Sequence, residues 1–291
     1  MGQDAPPVTA APREADGRIG IGLRQPHHEA WLALRPPVDF LEIHPENYRD
    51  TGSAQYTDLE TLRQDYAVSL HGVSLGLGNA TLDAKPLACL CELNRRLEPL
   101  FVSEHVCWTA FRGHHFHHLL PMPFTRETHD RLTAHIQEVQ DALRRPILIE
   151  PIAAYMRHRE DDRDEVDLIN GLAAATGCGI LLDLTNLYVN ARNHGEEAED
   201  FLARIDAAAV HEVHLAGCRL NRFPDGHMWI DSHDTVVPDG VWSLYDTLCA
   251  RMGPRATLLE RDASLPALPE LVDEIGRAQR RMQARTADVT G

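Results

Sequence analysis

Eight short apolar runs, spaced by segments of helical character, limit what this chain can become. They cover residues 18–23, 38–44, 67–71, 101–106, 146–150, 179–184, 210–215 and 257–260. Each is apolar almost throughout, as in parallel strands buried on both faces. Between them apolar residues recur at helical spacing, as with Leu87, Leu90, Leu93, Leu97 and Leu100 in the segment 85–100. A helix over 126–143 opens after Thr125 with Glu127 close behind, and one over 164–176 stops at Gly177. Further helices are expected over 26–34, 196–205, 241–252 and 268–282. Strands alternating with helices and joined right-handedly predict an α/β fold, a single-domain (β/α)8 TIM barrel over residues 18–282. No strand is followed by G-x-G-x-x-G, so the rival open doubly wound sheet loses its dinucleotide argument. Residues 1–17, rich in Pro and Ala, and residues 283–291 are expected to be disordered tails.

Barrels of this class keep their chemistry at the C-terminal ends of the strands. Glu42, His44, Glu46 and Asn47 stand at the end of the second run, and His71 ends the third. Glu104 and His105 lie in the fourth, Glu150 ends the fifth, and Asp183 ends the sixth with Asn186 beyond it. His214 ends the seventh, and the loop behind it brings His227, Asp231, His233 and Asp234. Glu260 ends the eighth, followed by Arg261 and Asp262; only the first lacks such a residue, though His27 and His28 follow it.

One acid at a strand end is commonly a helix cap, and one buried His a satisfied core residue. Seven ends out of eight is another matter, because facing carboxylates repel and an uncompensated buried ion is strongly unfavourable. Protons or cations must relieve that, and Arg261 is the main basic neighbour. Bound metal is the simplest explanation. The candidate ligands are His71, Glu104, Glu150, Asp183, Asn186, His214, Asp231, His233 and Glu260, enough for two or three ions. They offer only O and N donors, which suits Fe, Mn or Zn, and such sets with open positions serve non-haem Fe(II) oxygen chemistry. A zinc or manganese TIM-barrel hydrolase or a sugar isomerase would use similar ligands.

Other features carry less. The histidine tract at 114–118 reads as a solvated or substrate-facing loop, and Cys89 and Cys91 diverge if their segment is helical. Ser103, Glu104 and His105 cannot form a triad, since neighbours on one strand point to opposite sides. A net charge of −16 without a basic run argues against nucleic acid. No 18-residue apolar run exists to cross a membrane. Six cysteines without a secretory signal read as reduced thiols of a cytoplasmic protein.

Several short motifs, in order, carry a family likeness: IGLRQPH (21–27), EIHPENY (42–48), SLHGVSLGLG (69–78), SEHVCW (103–108), HHLLPMPFT (117–125), GILLDLTNLYVNARNHG (179–195), EVHLAG (212–217), IDSHDTVVPDGVWSLY (230–245) and LLERD (258–262). Together they resemble the multinuclear non-haem iron-dependent oxidative enzymes, the family of the methanobactin biosynthesis iron enzyme. The resemblance runs from about residue 18 to 280. It implies a TIM barrel with two or three Fe ions, Fe(II) or Fe(III), and O2 as co-substrate. It further implies a ribosomally made precursor peptide as substrate, modified often at Cys, and a small leader-binding partner protein. The family's ligands map onto the nine residues named above. His44, Glu46, Asn47, Asp234 and Arg261 are then assigned to substrate or to groups behind the ligands, and His105 or His227 to proton movement. One departure stands out: the family shows Glu-Asn on the fifth strand, and here Pro151 follows Glu150, so that Asn ligand is missing.

Overall fold

Eight of the strands close on one another through parallel ladders. The computed structural model describes residues 15–111 and 114–290, with backbone only at 117 and 286–290. The chain lays down β1 (Ile19–Gly22), β2 (Phe40–Ile43), β3 (Ala67–Gly72) and β4 (Val102–His105), then a hairpin of β5 (Trp108–Phe111) and β6 (His114–Leu120). It continues with β7 (Leu148–Glu150), β8 (Gly179–Asp183) and β9 (Val210–Leu215). A second hairpin, β10 (Cys218–Phe223) and β11 (Gly226–Asp231), precedes β12 (Ala256–Leu259). The closed barrel runs β1-β12-β9-β8-β7-β4-β3-β2, so the expected single-domain TIM barrel is what the chain forms.

The helices on its outside are α1 (His28–Leu34), α2 (Ala54–Leu62), α3 (Ala84–Leu97), α4 (Arg126–Leu143) and α5 (Glu165–Thr176). They are followed by α6 (Leu184–His194), α7 (Ala198–Arg204), α8 (Asp239–Met252) and α9 (Leu268–Thr290). The Thr125 hydroxyl accepts from Thr128 N and starts α4; Gly177, at φ 70°, stops α5 in a left-handed conformation costing glycine little. Both ends lie where the sequence places them. Among the described helices none is long and apolar enough to cross a membrane.

Two cores follow from the period-2 alternation of strands. Outward residues such as Leu41, Ile43, Val68, Leu70, Ile149 and Val213 pack against the helices. Inward residues Phe40, Phe101, Leu148, Leu181, Ala256 and Leu258 plug the lower end of the barrel. The Phe40 ring lies on Gly20, where a Cβ would come within 2.6 Å of it. Ala15 joins that plug, so residues 15–17 of the expected N-terminal tail are a turn closing the barrel floor, while 1–14 lie outside the described residues. The expected C-terminal tail continues α9 to Thr290, in keeping with its helix-favouring Gln, Ala and Arg.

Candidate metal centre

Above the apolar plug the inward positions change character. On β2 the residue after Phe40 in the inward series is Glu42, then His44; on β3 Ser69, then His71; on β4 Ser103, then His105. Glu150, Asp183, His214 and Glu260 complete the ring from β7, β8, β9 and the residue after β12, and Glu212 lies beneath His214. All these except His44 are buried.

Three imidazoles are oriented by their far nitrogen. His44 Nδ1 lies 3.1 Å from His71 O and His105 Nδ1 lies 3.0 Å from Gly72 O; a carbonyl only accepts, so both Nδ1 atoms carry the proton. The Ser103 hydroxyl donates to Leu70 O at 3.4 Å and accepts from His71 Nδ1 at 2.8 Å. Each ring therefore has an Nε2 lone pair free. Those of His71 and His105 each lie 3.2 Å from Glu150 Oε2. This polarisation of the far nitrogen is how metal-binding histidines are commonly held.

Asp183, Glu150 and Asn186 are each held by one atom and free at the other. Asp183 caps α6, its Oδ1 accepting from Thr185 N (2.5 Å) and Asn186 N (2.9 Å), while Oδ2 is buried without a hydrogen bond. Asn186 Nδ2 donates to Glu150 Oε1 (3.0 Å) and to Pro151 O (3.2 Å), leaving Oδ1 unpaired. Both neighbours are acceptors, so chemistry fixes which way the amide faces. Pro151, lacking an amide side chain, thus contributes by its carbonyl. Both oxygens of Glu42 and of Glu212, Glu150 Oε2, His214 Nε2, Asp231 Oδ1 and His233 Nε2 are also buried without a well-directed hydrogen bond, and they crowd one another: Asp231 Oδ1 lies 2.8 Å from His233 Nε2 and Glu42 Oε2 3.1 Å from His214 Nε2.

These atoms gather into four overlapping groups able to hold a metal: His71 with Glu150 and His214; Glu42 with His214 and Glu260; Asp183 with His233 and Glu260; His44 with Glu260 and Asp262. Glu260 is shared by three of them. His233 is held at φ 48°, unusual for a residue with a side chain, by its N–H to Gly217 O and its carbonyl to Asp262 N (both 2.9 Å). That bend turns its ring between Asp231 Oδ1 (2.8 Å) and Asp262 Oδ2 (3.0 Å).

Without a cation the cluster manages its charge by protons. Burial drives Glu42 up to about 7 despite His214, and Asp183 up to about 7 with help from Asp231. Burial also holds Glu150 well above the carboxylate range, lowers His105 to about 4, and with His105 beside it pushes His71 well down. For His214, burial opposes charge, but Glu42 and Glu260 outweigh it and hold the imidazole well above its ordinary value. Burial likewise disfavours the Glu260 anion, yet His214 and His233 hold it well below its usual range. Arg24, from the loop after β1, adds a buried guanidinium, 2.6 Å from Asp262 and 3.5 Å from Glu260.

Most of the residues expected from sequence are brought together, and some are not. His71, Glu150, Asp183, Asn186, His214, Asp231, His233 and Glu260 converge, and all but Asp183 and His214 line a cavity of 1090 Å³ above the barrel. Glu104 does not join them. Its Oε1 accepts from Leu75 N (3.2 Å) and lies against Gly72, where a Cβ would meet it at 2.1 Å. It faces outward because its neighbours Ser103 and His105 face in. Arg261, neighbour of inward Glu260, turns out to Glu274 (3.2 Å) for the same reason. Asp234 locks the base of the second hairpin through Arg219 and Ser232. Asn47 and His227 are exposed and line no part of the cavity, whereas His44, Glu46 and His105 do. Reasoning from sequence missed Arg24, Glu212 and the ligand-like placement of Glu42 and Asp262. The signal for Glu42 and Glu212 was parity, since each stands two residues before an inward histidine. It also missed Tyr155, whose Oη accepts from Asp231 N at 3.1 Å across 76 positions of chain.

Comparison with known proteins fits this geometry. The solved structures it resembles include a xylose isomerase-like TIM barrel protein from Mycobacterium smegmatis in complex with magnesium, at TM-score 0.60 and 12% identity over 94% of this chain and 98% of that one. Another is the IOLI protein with a zinc atom, at TM-score 0.55 and 14% identity over 94% and 97%. Likeness at that level is of fold alone. A UPF0276 protein of Bordetella parapertussis is 45% identical over 273 residues, 92% of this chain and 94% of its own. One from Vibrio vulnificus is 39% identical over 267 residues, 91% and 92%. The model of the RiPP precursor modification enzymes MbnB/TglH/ChrH matches residues 18–283, and the chain belongs to that family.

Proposed function

We propose that this chain is an iron- and O2-dependent oxidative enzyme that modifies a ribosomally made precursor peptide, at a Cys residue, with a small leader-binding protein as partner. The observation that carries the reading is the set of buried, unpaired O and N atoms on inward residues of so many strand ends. So many orphaned polar atoms in one interior are unfavourable unless cations fill the space between them. The donor set, imidazoles and carboxylates with Glu260 common to three of the groups, would suit iron. Cys107 and Cys218 belong to none of the groups, so no protein thiolate competes for the metal. The family match supports the peptide substrate.

His71, His214, Glu150, Glu42, Asp183, His233 and Glu260 would hold two or three ions, with Asn186 Oδ1, Asp231, His44 and Asp262 at the margin. Bound ferrous iron would supply electrons to O2 and an open position for the substrate thiolate. The rest falls to the protein. His105 Nε2, 3.2 Å from Glu150 Oε2, belongs to a ring that burial lowers to about 4, so it is neutral at pH 7 and offers a hydrogen-bond acceptor that orients a substrate proton. Asn186 fixes Glu150 from the far side. Phe116, Leu119 and Ile152 give the cavity part of its apolar lining. His227, exposed on β11, has no path to this chemistry without movement of the hairpin.

A divalent-metal sugar isomerase shares the barrel and many ligand types, but rests on fold likeness, which carries no chemistry by itself. The deciding experiment is metal content and Mössbauer spectroscopy on protein purified without oxygen, followed by O2 uptake with a Cys peptide. Two or three irons per chain, at least one ferrous and reactive, are expected. Stoichiometric zinc, with activity kept in zinc-loaded protein, would overturn the proposal.

A further inference from the structure

The cavity mouth is chemically uneven. Its lining includes two side chains of fixed positive charge, Arg49 and Lys85, and Lys85 is the only lysine in the sequence. Arg49 follows the short 3-10 turn Pro45–Tyr48 after β2, and Lys85 opens α3. One turn along α3 from Lys85, Cys89 Sγ lies 3.7 Å from Pro45 O, which brings α3 against the turn that leads into Arg49. Both are exposed, and neither forms an ion pair with a described carboxylate. Two acids share the lining, and neither is within ion-pair distance of the two cations: Glu46 Oε1 accepts from Val73 N (3.0 Å) and Ser74 Oγ (2.7 Å) with Oε2 left unpaired, and Asp83 caps α3 through Lys85 N (2.9 Å). In a chain of net charge −16, two uncommitted cations on the substrate cavity stand apart. The next sector of the rim, after β4 and β7, is apolar and open: Phe116 is 41% exposed, Tyr155 41% and Met156 57%, and all three line the same cavity.

We infer that Arg49 and Lys85 form a carboxylate-reading corner of the substrate cavity, holding an acidic side chain or the C-terminal carboxylate of a peptide whose apolar residue lies against Phe116 and Met156. This rests on the peptide-modifying reading above. A guanidinium and an ammonium on the rim of one cavity can both reach a single carboxylate with charge-assisted hydrogen bonds. The corner selects and places the peptide rather than reacting with it, and it steers an acidic segment past an otherwise repelling surface.

The test is binding, measured calorimetrically on metal-loaded protein under argon, with three synthetic hexapeptides that each carry one Phe and one Cys. One has an internal Glu and an amidated end, one has Gln there and an amidated end, and one has Gln and a free C-terminal carboxylate. The uncharged peptide should bind about tenfold more weakly than at least one charged peptide. The charged peptide that binds tightly names the source of the carboxylate. Added salt should shrink the gap. In the double variant Arg49→Gln, Lys85→Gln the three should bind alike, with metal content and melting temperature as in the parent. Equal binding of all three by the parent, or a preference that survives the double variant, would overturn the inference alone. No binding of any peptide would instead overturn the peptide reading itself, and this inference with it.

Discussion

Removing the Ser103 hydroxyl should loosen metal binding far more than it disturbs the fold. Ser103 and His71 are both buried, and the hydroxyl accepts from His71 Nδ1 at 2.8 Å while its proton points to Leu70 O. This fixes the tautomer with Nε2 bare. In Ser103→Ala the ring loses that acceptor. A buried N–H left unpaired costs about 1–3 kcal/mol, so the ring moves its proton to Nε2, where Glu150 Oε2 stands 3.2 Å away. His71 is then a donor to Glu150, and a metal must displace that proton to bind. Loss of such an orienting partner typically weakens metal affinity about 10- to 100-fold, roughly 1.4–2.8 kcal/mol. The assay is competition with a chelator of known affinity, read as metal per chain, with melting temperature of the metal-free protein alongside. Ser69→Ala is the control. Its hydroxyl, on β3 two residues before His71, is equally buried but has no hydrogen bond to that ring or to any other group, so its removal should leave metal affinity unchanged. Parent-like metal affinity in Ser103→Ala, or an equal loss in Ser69→Ala, would refute the argument.

Glu260→Ala should lower metal content by more than one ion per chain, since three groups share that carboxylate. Asp231→Ala or His233→Ala should empty one site and abolish activity; full activity with that metal gone would contradict the assignment. Phe40→Ala, which hollows the barrel plug, should cost about 3–5 kcal/mol in denaturant unfolding, and a loss below about 1 kcal/mol would mean that the floor bears little of the stability. Glu42→Gln should flatten the pH dependence of stability in the metal-free protein. With its folded-state pKa near 7 and its unfolded value about 4.3, Glu42 favours folding when protonated; that stability is complete below the unfolded value and is lost as pH rises through 7. Denaturant midpoints from pH 5 to 8 should therefore fall more steeply in the parent than in the variant.

The barrel was legible because its strands are buried on both faces and so read as unbroken apolar runs, whatever lies in the loops. Periodicity and end signals placed α4 and α5 almost to the residue. Two helices escaped. α6 begins on Asp183, the last residue of β8, with no polar linker to announce it. α2 buries only Tyr56, Leu59 and Leu62 and is otherwise polar. The hairpins escaped for another reason. β5 and β6 stand clear of the barrel and carry histidines in place of a β-branched pattern, so the tract at 114–118 read as loop. In the second hairpin the turn signal Asp225-Gly226 was there to be read between β10 and β11.

Within the site, chemistry was easier to read than direction. Residue type alone cannot separate Glu104 from His105, since both sit on one strand and both can ligate. Parity does separate them once one anchor is known: His71 is paired in register with Ser103, so Ser103 and His105 share the interior and Glu104 cannot. The same rule draws Glu42 and Glu212 inside with His44 and His214, and sends Arg261 out from beside Glu260. Arg24 lies beyond any such rule, because it is placed by a loop, and its role is visible only when Asp262 and Glu260 arrive from the far end of the chain. That placement also bounds the charge problem. Among the described residues the fixed cation in contact with the cluster is Arg24, on Glu260 and Asp262, while Glu42, Glu150, Asp183, Glu212 and Asp231 also crowd the interior. The remaining positive charge must come from something that binds and leaves, a proton or a metal ion, and the two compete for the same atoms.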